Sequence, residues 1–183
     1  MRKVVLFIAT SVDGYIADVE GGVSWLGGQD AAAEMPDTYS SFVEGVDTVV
    51  MGWNTYWQIV TELSPDRWVY EGLKSYVVTH RELSSTPQIT FTAEDPVALV
   101  KRLRQGVGKD IWICGGAEMV RQLLAHDLID RFHLSVIPVV LGQGIRLFGE
   151  RGRRINLRLT ATQHDNGIVE MIYERRPEQS VLG

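Results

Sequence analysis

Residues 110–124, DIWICGGAEMVRQLL, constrain the fold more than any other stretch of the chain. Four consecutive apolar residues are followed by two glycines, after which apolar residues recur at helical spacing. This pattern predicts a buried strand, a glycine turn and an amphipathic helix. A helix that begins directly after such a turn presents free backbone N–H groups and the positive end of its dipole, which suit a phosphate or pyrophosphate. Glycines kept only for tight packing between strand and helix explain the same residues equally well.

The segments before this stretch also alternate between strand and helix patterns. Near-continuous apolar runs at residues 4–9 and 46–51 are typical of central strands that are covered on both faces. Asp95 followed by Pro96 predicts a helix start, and Gly106 predicts the end of that helix. Further strands are predicted at residues 75–79, 89–92 and 132–137, and short helices at residues 36–43 and from residue 54 or 55.

The C-terminal part predicts a hairpin, because Asn166-Gly167 separates strand patterns at residues 156–164 and 168–174. Strands that alternate with helices and end in a hairpin predict one α/β domain over residues 1–176. We expect a mixed sheet of about eight strands, mostly parallel with an antiparallel C-terminal hairpin, and helices on both faces. The remaining expectations are a mobile loop at residues 18–30, an irregular segment at 61–72 and a flexible tail at 177–183.

Charge and composition exclude several kinds of partner. The net charge of -5 and the pI of about 5.4 argue against nucleic acid, since phosphate-binding faces usually carry a clustered basic excess. Cys114 is the single cysteine, so an internal disulfide is impossible and no metal-binding motif surrounds it. No apolar segment reaches the length of a membrane span, and the apolar N-terminus lacks a cleavage-site pattern. We therefore expect a cytoplasmic protein that binds a small molecule and no metal.

Five motifs, taken in their order and spacing, resemble the dihydrofolate reductase superfamily. They resemble in particular the bacterial branch that contains the reductase domain of riboflavin-biosynthesis proteins. The motifs are SVDGYIA at 11–17, VVMGWNTY at 49–56, VVT at 77–79, ICGGAE at 113–118, and the segment 138–148 with its LGQG core. The resemblance covers most of residues 3–174 and implies a dihydrofolate reductase-like sheet with NADPH lying across it. The lack of a G-x-G-x-x-G motif agrees with this fold rather than with a Rossmann domain. The family also offers precedent for a homodimer.

The resemblance implies that the cofactor pyrophosphate binds between two helix starts. The first start is at Gly52 and Thr55, although Thr55 is also explained as a plain helix N-cap. The Gly-Gly bond of the second start is often cis in this family. The resemblance assigns Gly115, Gly116, Ala117 and Glu118 to the second start, and Ala9 and Ile16 to the wall against which the nicotinamide packs.

The residues that would hold the adenosine 2′-phosphate depart in part from the family pattern. Thr79 and Arg81 occupy positions where the family holds this phosphate. Trp53 stands where the family usually has an arginine, and an indole can stack on adenine but cannot pair with a phosphate. Because the guanidinium fork of Arg81 suits phosphate, NADPH is favoured over NADH.

The resemblance leaves the catalytic acid open. Pyrimidine reductases of riboflavin synthesis usually have a glutamate where this chain has Cys114, which puts a pyrimidine substrate in doubt. Folate reduction needs a carboxylate on the helix after the mobile loop, and Asp37 is the candidate, with Thr38 as the alternative alignment. Asp13 is a second candidate near the nicotinamide. Asp37 is also explained as a first-turn acid, and Asp13 as a turn residue before a glycine.

The substrate side of the site is predicted from one aligned residue and several aromatic residues. Ser135 aligns with a threonine that helps to hold the substrate or its water in folate reductases. Trp25 and Phe42, with Tyr39 and Trp57, are candidates to line the cleft, although aromatic residues at this spacing are more often core. The leading hypothesis is an NADPH-dependent reductase that delivers hydride to a flat pterin- or pyrimidinone-like heterocycle. The alternative is a nucleotide-binding module of the same fold with little or no turnover.

Overall fold

Ten strands and four helices make up the computed structural model, which describes residues 1–33, 37–149 and 154–176. The strands are β1 (Val4–Ser11), β2 (Tyr15–Ala17), β3 (Val46–Gly52), β4 (Lys74–Val78), β5 (Ile89–Thr92), β6 (Asp110–Gly115), β7 (Arg131–Ile137), β8 (Ile145–Arg146), β9 (Leu157–Asp165) and β10 (Ile168–Arg175). The helices are α1 (Thr38–Val43), α2 (Trp53–Gln58), α3 (Pro96–Gln105) and α4 (Ala117–Ala125), and a π-helical turn (Ile59–Leu63) continues α2.

The central sheet has eight strands in the order β5-β4-β3-β6-β1-β7-β10-β9. All neighbours are parallel up to β7, and β10 then runs antiparallel to both β7 and β9. The predicted mixed sheet with an antiparallel C-terminal hairpin is therefore confirmed. Since β1, β3 and β6 are adjacent and parallel, their carboxyl ends meet at one edge of the sheet.

Apolar residues on both faces of the central strands form two cores, one on each side of the sheet. On one side, α3 and α4 pack Leu99 and Leu123 against Ile113, and all three side chains are fully buried. On the other side, Met51 and Trp112 pack against the segment that contains α1 and α2. Full burial of one such aliphatic side chain contributes roughly 1.5–3 kcal/mol. The helices on both faces follow directly from the apolar runs of the sequence.

Hydrogen bonds hold the loop at residues 18–30 at both ends. The side-chain amide of Gln58 donates to the carbonyl of Gly21 at 2.9 Å. At the other end, the backbone N–H of Asp30 donates to the Asn166 side chain at 2.9 Å, and the Gln29 N–H donates to the Asn166 carbonyl at 3.0 Å. The loop is therefore tied to α2 and to the β9–β10 hairpin.

Two elements differ from the expectations. Residues 61–63, expected to be irregular, belong to the π-helical turn, in which the Thr61 hydroxyl donates to the Trp57 carbonyl at 2.7 Å. Strands β2 and β8 pair in a small second sheet that residue patterns did not predict, because strands of two or three residues carry no periodicity. The predicted helix start at residue 36 and the predicted tail at 177–183 lie outside the described residues.

Candidate active site

A cleft of about 1040 Å³ opens at the carboxyl ends of β1, β3 and β6. This edge of an open α/β sheet is where ligands usually bind. The lining brings together most of the residues predicted for the cofactor, together with Ser135. The predicted residues in the lining are Ala9, Ile16, Gly52, Trp53, Thr55, Trp57, Gly115, Gly116, Ala117, Glu118 and Ser135.

Two helix starts face each other across this cleft. Gly52 precedes α2 and Gly116 precedes α4, and neither start has a side-chain cap. A Cβ atom added to Gly52 would lie 4.0 Å from the backbone nitrogen of Gly116, and one added to Gly115 would lie 3.4 Å from the Thr55 hydroxyl oxygen. The peptide bond between Gly115 and Gly116 is cis, as the resemblance implied. Uncapped N–H groups lack partners within their own helix, so an anion between the two starts would satisfy them.

The adenosine end of the predicted site contains a stack of three side chains. The rings of Trp53 and Trp57 stack with centroids 5.4 Å apart, and the guanidinium carbon of Arg81 lies 4.6 Å from the centre of the Trp53 ring. The backbone N–H of Arg81 donates to the Thr79 hydroxyl at 3.1 Å. Thr79 is buried and Arg81 is exposed, and neither is in the cleft lining. The cation–π contact therefore holds the Arg81 guanidinium beside Trp53, a residue of the cleft lining, while Arg81 remains exposed to solvent.

Ser135 belongs to a polar cluster of four residues, of which the sequence analysis named two, Ser135 and Thr38. The cluster, which we call the Glu170 cluster, consists of Thr38, His133, Ser135 and Glu170. The Glu170 Oε2 atom lies 2.9 Å from His133 Nε2 and accepts a hydrogen bond from the Ser135 hydroxyl at 2.8 Å. The Thr38 hydroxyl reaches the other oxygen, Oε1, at 3.4 Å. His133, Ser135 and Glu170 are each less than 10% exposed.

Burial and hydrogen bonding act in opposite directions on Glu170. Burial alone would raise the pKa of the Glu170 carboxyl, but the hydrogen bonds from His133 and Ser135 outweigh it and hold this pKa below its usual value. The carboxyl is therefore ionised at neutral pH. One sequence signal pointed towards this cluster: His133 and Ser135 are two residues apart in a predicted strand and so share a face.

The two predicted catalytic carboxylates have structural partners instead of a place in the cleft lining. Asp37 is exposed and caps α1, accepting the Ser40 backbone N–H at 3.0 Å. Asp13 accepts the Ser11 hydroxyl at 2.7 Å and the backbone N–H groups of Leu141 and Gly142 at 3.1 and 2.7 Å. The bond from Ser11, together with those backbone bonds, lowers the pKa of Asp13 to about 2. Asp13 therefore stays ionised and fixes the turn before β2.

Of the aromatic residues predicted to line the substrate cleft, Trp57 lies in the lining, whereas Trp25, Tyr39 and Phe42 do not. Phe42 packs against Phe7 with ring centroids 4.3 Å apart, and Phe7 lines the cleft. Trp25 donates its ring N–H to the Gly22 carbonyl at 3.2 Å within the loop, and the neighbouring Leu26 lines the cleft instead. Tyr39 is likewise absent from the lining, and its ring packs against that of Trp112, a lining residue, at a centroid distance of 5.9 Å.

Cys114 lines the cleft as a neutral thiol. Its sulfur lies 3.3 Å from the Tyr70 hydroxyl, and burial raises the pKa of the Cys114 thiol to about 11. Burial also raises the pKa of Tyr70. This part of the cleft therefore carries no charge at neutral pH, in contrast to a site with glutamate at the same position.

Residues 2–169 match the family model of the RibD C-terminal domain. The chain belongs to that family. The uncharacterized protein YwjB of Bacillus subtilis (strain 168) is 40% identical over 177 residues, which cover 95% of this chain and 98% of that protein. A crystal structure from Shewanella sp. PV-4, of a protein named for riboflavin biosynthesis, aligns at a TM-score of 0.80 with 27% identity, covering 96% of this chain and 99% of that one.

The comparison with dihydrofolate reductase concerns the fold. The Enterococcus faecalis enzyme, solved with NADP(H) and RAB-propyl, aligns at a TM-score of 0.64 with 15% identity, covering 96% of this chain and 97% of that one. The resemblance to the dihydrofolate reductase superfamily and its riboflavin-biosynthesis branch is therefore confirmed, and the fold is of the reductase type. Within the described residues, no helix is long and apolar enough to cross a membrane, and no group of three or more His, Cys, Asp or Glu side chains is placed to hold a metal ion.

Proposed function

We propose that this chain is an NADPH-dependent reductase that transfers hydride to a small planar heterocycle of pterin or pyrimidinone type. The observation that carries the proposal is the pair of uncapped helix starts at Gly52 and Gly116, which face each other over the cleft. The two backbone starts and the Thr55 hydroxyl fit a pyrophosphate, which needs several N–H or O–H donors around one compact anion. When bound, NADPH would supply the hydride.

The residues around the helix starts fit the other parts of the cofactor. The stacked pair of Trp53 and Trp57, both in the cleft lining, offers flat aromatic surface for adenine, and the exposed Arg81 beside it suits the 2′-phosphate that distinguishes NADPH from NADH. Ala9 and Ile16 supply an apolar wall for the nicotinamide. The chain would thus contribute binding and orientation, which alone can account for a large part of a rate enhancement.

The proposal is tested by titrating NADPH and NADH into the protein and following tryptophan fluorescence. Trp53, Trp57 and Trp112 all line the cleft, so bound nucleotide should quench part of the emission. We expect NADPH to bind at least about tenfold more tightly than NADH, since hydrogen bonds to a charged group contribute roughly 1.5–3 kcal/mol. The change Arg81→Met should remove this preference, whereas Arg158→Met, an exposed arginine on β9, should leave it intact. No binding of either nucleotide at millimolar concentration would refute the cofactor assignment.

One observation favours a second candidate, a nucleotide-binding module with little or no turnover. Neither Asp13 nor Asp37 lines the cleft, and Asp13 has a pKa of about 2, so neither is suited to donate a proton to a substrate there. In the reductase, the proton would then come from another group, such as a water molecule. Loss of NADPH absorbance with dihydrofolate and a panel of pterins and pyrimidinones separates the two candidates: oxidation supports the reductase, and nucleotide binding without oxidation of any compound supports the module.

A homodimer and a cytoplasmic location complete the proposal. Strand β9 forms one edge of the sheet, and all of its residues except the first are exposed, which leaves that edge open to a second copy. Light scattering after size exclusion distinguishes the 20.5 kDa monomer from a particle of twice this mass.

A further inference from the structure

The ionised carboxylate of Glu170 lies behind the cleft, and the proposed hydride transfer gives it no role. Glu170 is 5% exposed, on the antiparallel strand β10, directly opposite Ser135 of β7. A buried carboxylate is costly unless its charge is used or compensated by its partners.

Ser135 is the member of the Glu170 cluster that lines the cleft. A serine hydroxyl has one proton and two acceptor lone pairs. The carboxylate of Glu170 can only accept, so the proton of Ser135 must point towards Glu170, at an oxygen–oxygen distance of 2.8 Å. The lone pairs of the Ser135 hydroxyl oxygen are then left to accept hydrogen bonds. Ser135 therefore presents an acceptor to the cleft, and the negative charge behind it strengthens this acceptor.

The other partners of Glu170 reinforce this polarity. His133 Nε2, 2.9 Å away, must also carry its proton towards the carboxylate, and the Phe7 ring packs over the imidazole at a centroid distance of 4.4 Å. Among the described residues, the second carboxylate oxygen has the long 3.4 Å contact with Thr38 as its hydrogen bond. The cluster thus places a negative charge directly behind the Ser135 hydroxyl.

The two positions at which the related reductases have a carboxylate, those of Cys114 and Asp37, do not offer one to this part of the cleft. Cys114 is a neutral thiol whose pKa is raised to about 11, and Asp37 is turned to the N-terminus of α1. Phe7, Ala9, Trp112 and Cys114, which line the cleft near Ser135, have no ionised side chain at neutral pH. Compared with these four lining residues, Ser135 is therefore the strongest partner for a ligand group with N–H donors.

We propose that Ser135, backed by Glu170, recognises an N–H-bearing edge of the planar heterocycle, such as a lactam or an amidine, and discriminates against heterocycles that lack these donors. The proposal rests on the proposed function, since it concerns the substrate end of the same cleft. Ser135 would contact the ligand directly, and Glu170 would act as a positioning residue that fixes the direction of the Ser135 proton. An amidine edge gains most, because it can take up a proton and pair with the buried charge.

The test measures binding of three pteridines to the protein saturated with NADPH. Lumazine carries N–H donors at both ring positions of its pyrimidine half, 1,3-dimethyllumazine carries none there, and 2,4-diaminopteridine carries an amidine edge. We expect wild type to bind lumazine at least about fivefold more tightly than the dimethyl compound, and 2,4-diaminopteridine most tightly, as hydrogen bonds to a charge-supported acceptor predict.

Substitutions separate recognition from a merely structural effect. Ser135→Ala should weaken lumazine binding roughly three- to tenfold and leave 1,3-dimethyllumazine unchanged, and Ser135→Thr, which keeps the hydroxyl, should retain the wild-type preference. Glu170→Gln keeps an oxygen for both donors and loses the charge, so it should weaken 2,4-diaminopteridine more than lumazine. Ser75→Ala is the matched control, because Ser75 is an equally buried strand serine outside the cleft lining.

Several results would overturn the inference without touching the cofactor assignment, which is measured separately by NADPH titration. Equal binding of lumazine and its dimethyl analogue to wild type would do so, as would a Ser135→Ala variant that keeps the wild-type preference. Failure of all three pteridines to bind a protein that does bind NADPH would also overturn it. The comparison of ligands on wild type needs no variant, so it decides the matter even if Glu170→Gln fails to fold.

Discussion

The substitution Gly52→Ala separates the fold from the proposed phosphate site. Gly52 has φ -82° and ψ 167°, an extended conformation that alanine adopts without strain. The nearest neighbour of an added Cβ atom is the backbone nitrogen of Gly116, at 4.0 Å, which is an ordinary van der Waals contact. The methyl group would therefore fit in the protein, and it would lie between the two helix starts.

The expected effects on stability and on binding have opposite signs. Replacing glycine by alanine in a compatible conformation stabilises a protein by roughly 0.4–1 kcal/mol, because the unfolded chain loses freedom. A phosphate between the starts must approach backbone N–H groups to about 2.7–2.9 Å, and a methyl group within 4.0 Å of the Gly116 nitrogen obstructs this approach. Loss of one charge-assisted hydrogen bond costs roughly 1.5–3 kcal/mol, which is at least about a tenfold weaker affinity for NADPH.

Two measurements on the same sample test this prediction. Urea unfolding gives the free energy of unfolding without ligand, and fluorescence titration gives the NADPH affinity. Gly106→Ala is the matched control: Gly106 ends α3 with φ -72°, its added Cβ atom would lie 3.4 Å from the Leu103 carbonyl oxygen, and it is absent from the cleft lining. The control should leave NADPH affinity unchanged.

The NADPH affinity and the free energy of unfolding of Gly52→Ala are tested independently of each other. A Gly52→Ala protein that binds NADPH as tightly as wild type would show that the pyrophosphate does not lie between the helix starts. A variant that is destabilised by more than about 1 kcal/mol would instead show that the methyl group does not fit, since a compatible glycine position predicts a gain in stability.

Three further predictions concern residues outside the proposed nucleotide contacts. Asp37→Asn should leave both stability and turnover near wild type, since asparagine caps helices as well as aspartate, whereas Asp37→Ala should cost about 0.5–2 kcal/mol in urea unfolding; a large loss of turnover in Asp37→Asn would restore it as a catalytic acid. For Asp13, whose folded pKa of about 2 lies below the usual aspartate pKa of 3.8, the stability advantage of wild type over Asp13→Asn should be complete above about pH 4 and be lost as the pH falls through 2, and a gap that keeps its full size there would contradict the hydrogen-bond explanation. Leu123→Ala, at a fully buried position of α4, should lower the free energy of unfolding by roughly 2–5 kcal/mol, and a loss below 1 kcal/mol would mean that α4 repacks.

The central strands and the helix starts could be predicted because local patterns determine them. Strand β5 has the predicted bounds, and β6 ends at the predicted glycines. Apolar runs covered on both faces, an Asp-Pro helix start and an Asn-Gly hairpin are all signals within a few residues. In the hairpin turn, Asn166 and Gly167 have φ values of 47° and 77°, as a type I′ turn requires.

The Glu170 cluster could not be predicted, because it depends on strand register over a long separation. Ser135 and Glu170 are 35 residues apart in sequence, and a shift of β10 by one residue would turn Glu170 to the other face of the sheet. The roles of Asp13 and Asp37 were undecided for a related reason. An acid beside a glycine or at a helix start fits both a turn and an active site, and only the positions of its partners separate the two.

The two ends of the cleft are built in different ways, and this difference explains which parts of the family pattern this chain keeps. The proposed pyrophosphate site consists of backbone N–H groups at Gly52 and Gly116, so it survives as long as the strands and helix starts keep their places, even with Trp53 in place of arginine. The proposed substrate end consists of side chains, so single substitutions change its charge. With the neutral Cys114, this end lacks the negative charge that a glutamate at the same position would supply. The antiparallel strand β10 then offers a carboxylate from the opposite side through Ser135. We infer that the cofactor class follows from the fold, whereas the choice of heterocycle depends on the few side chains that β7 and β10 place behind the cleft.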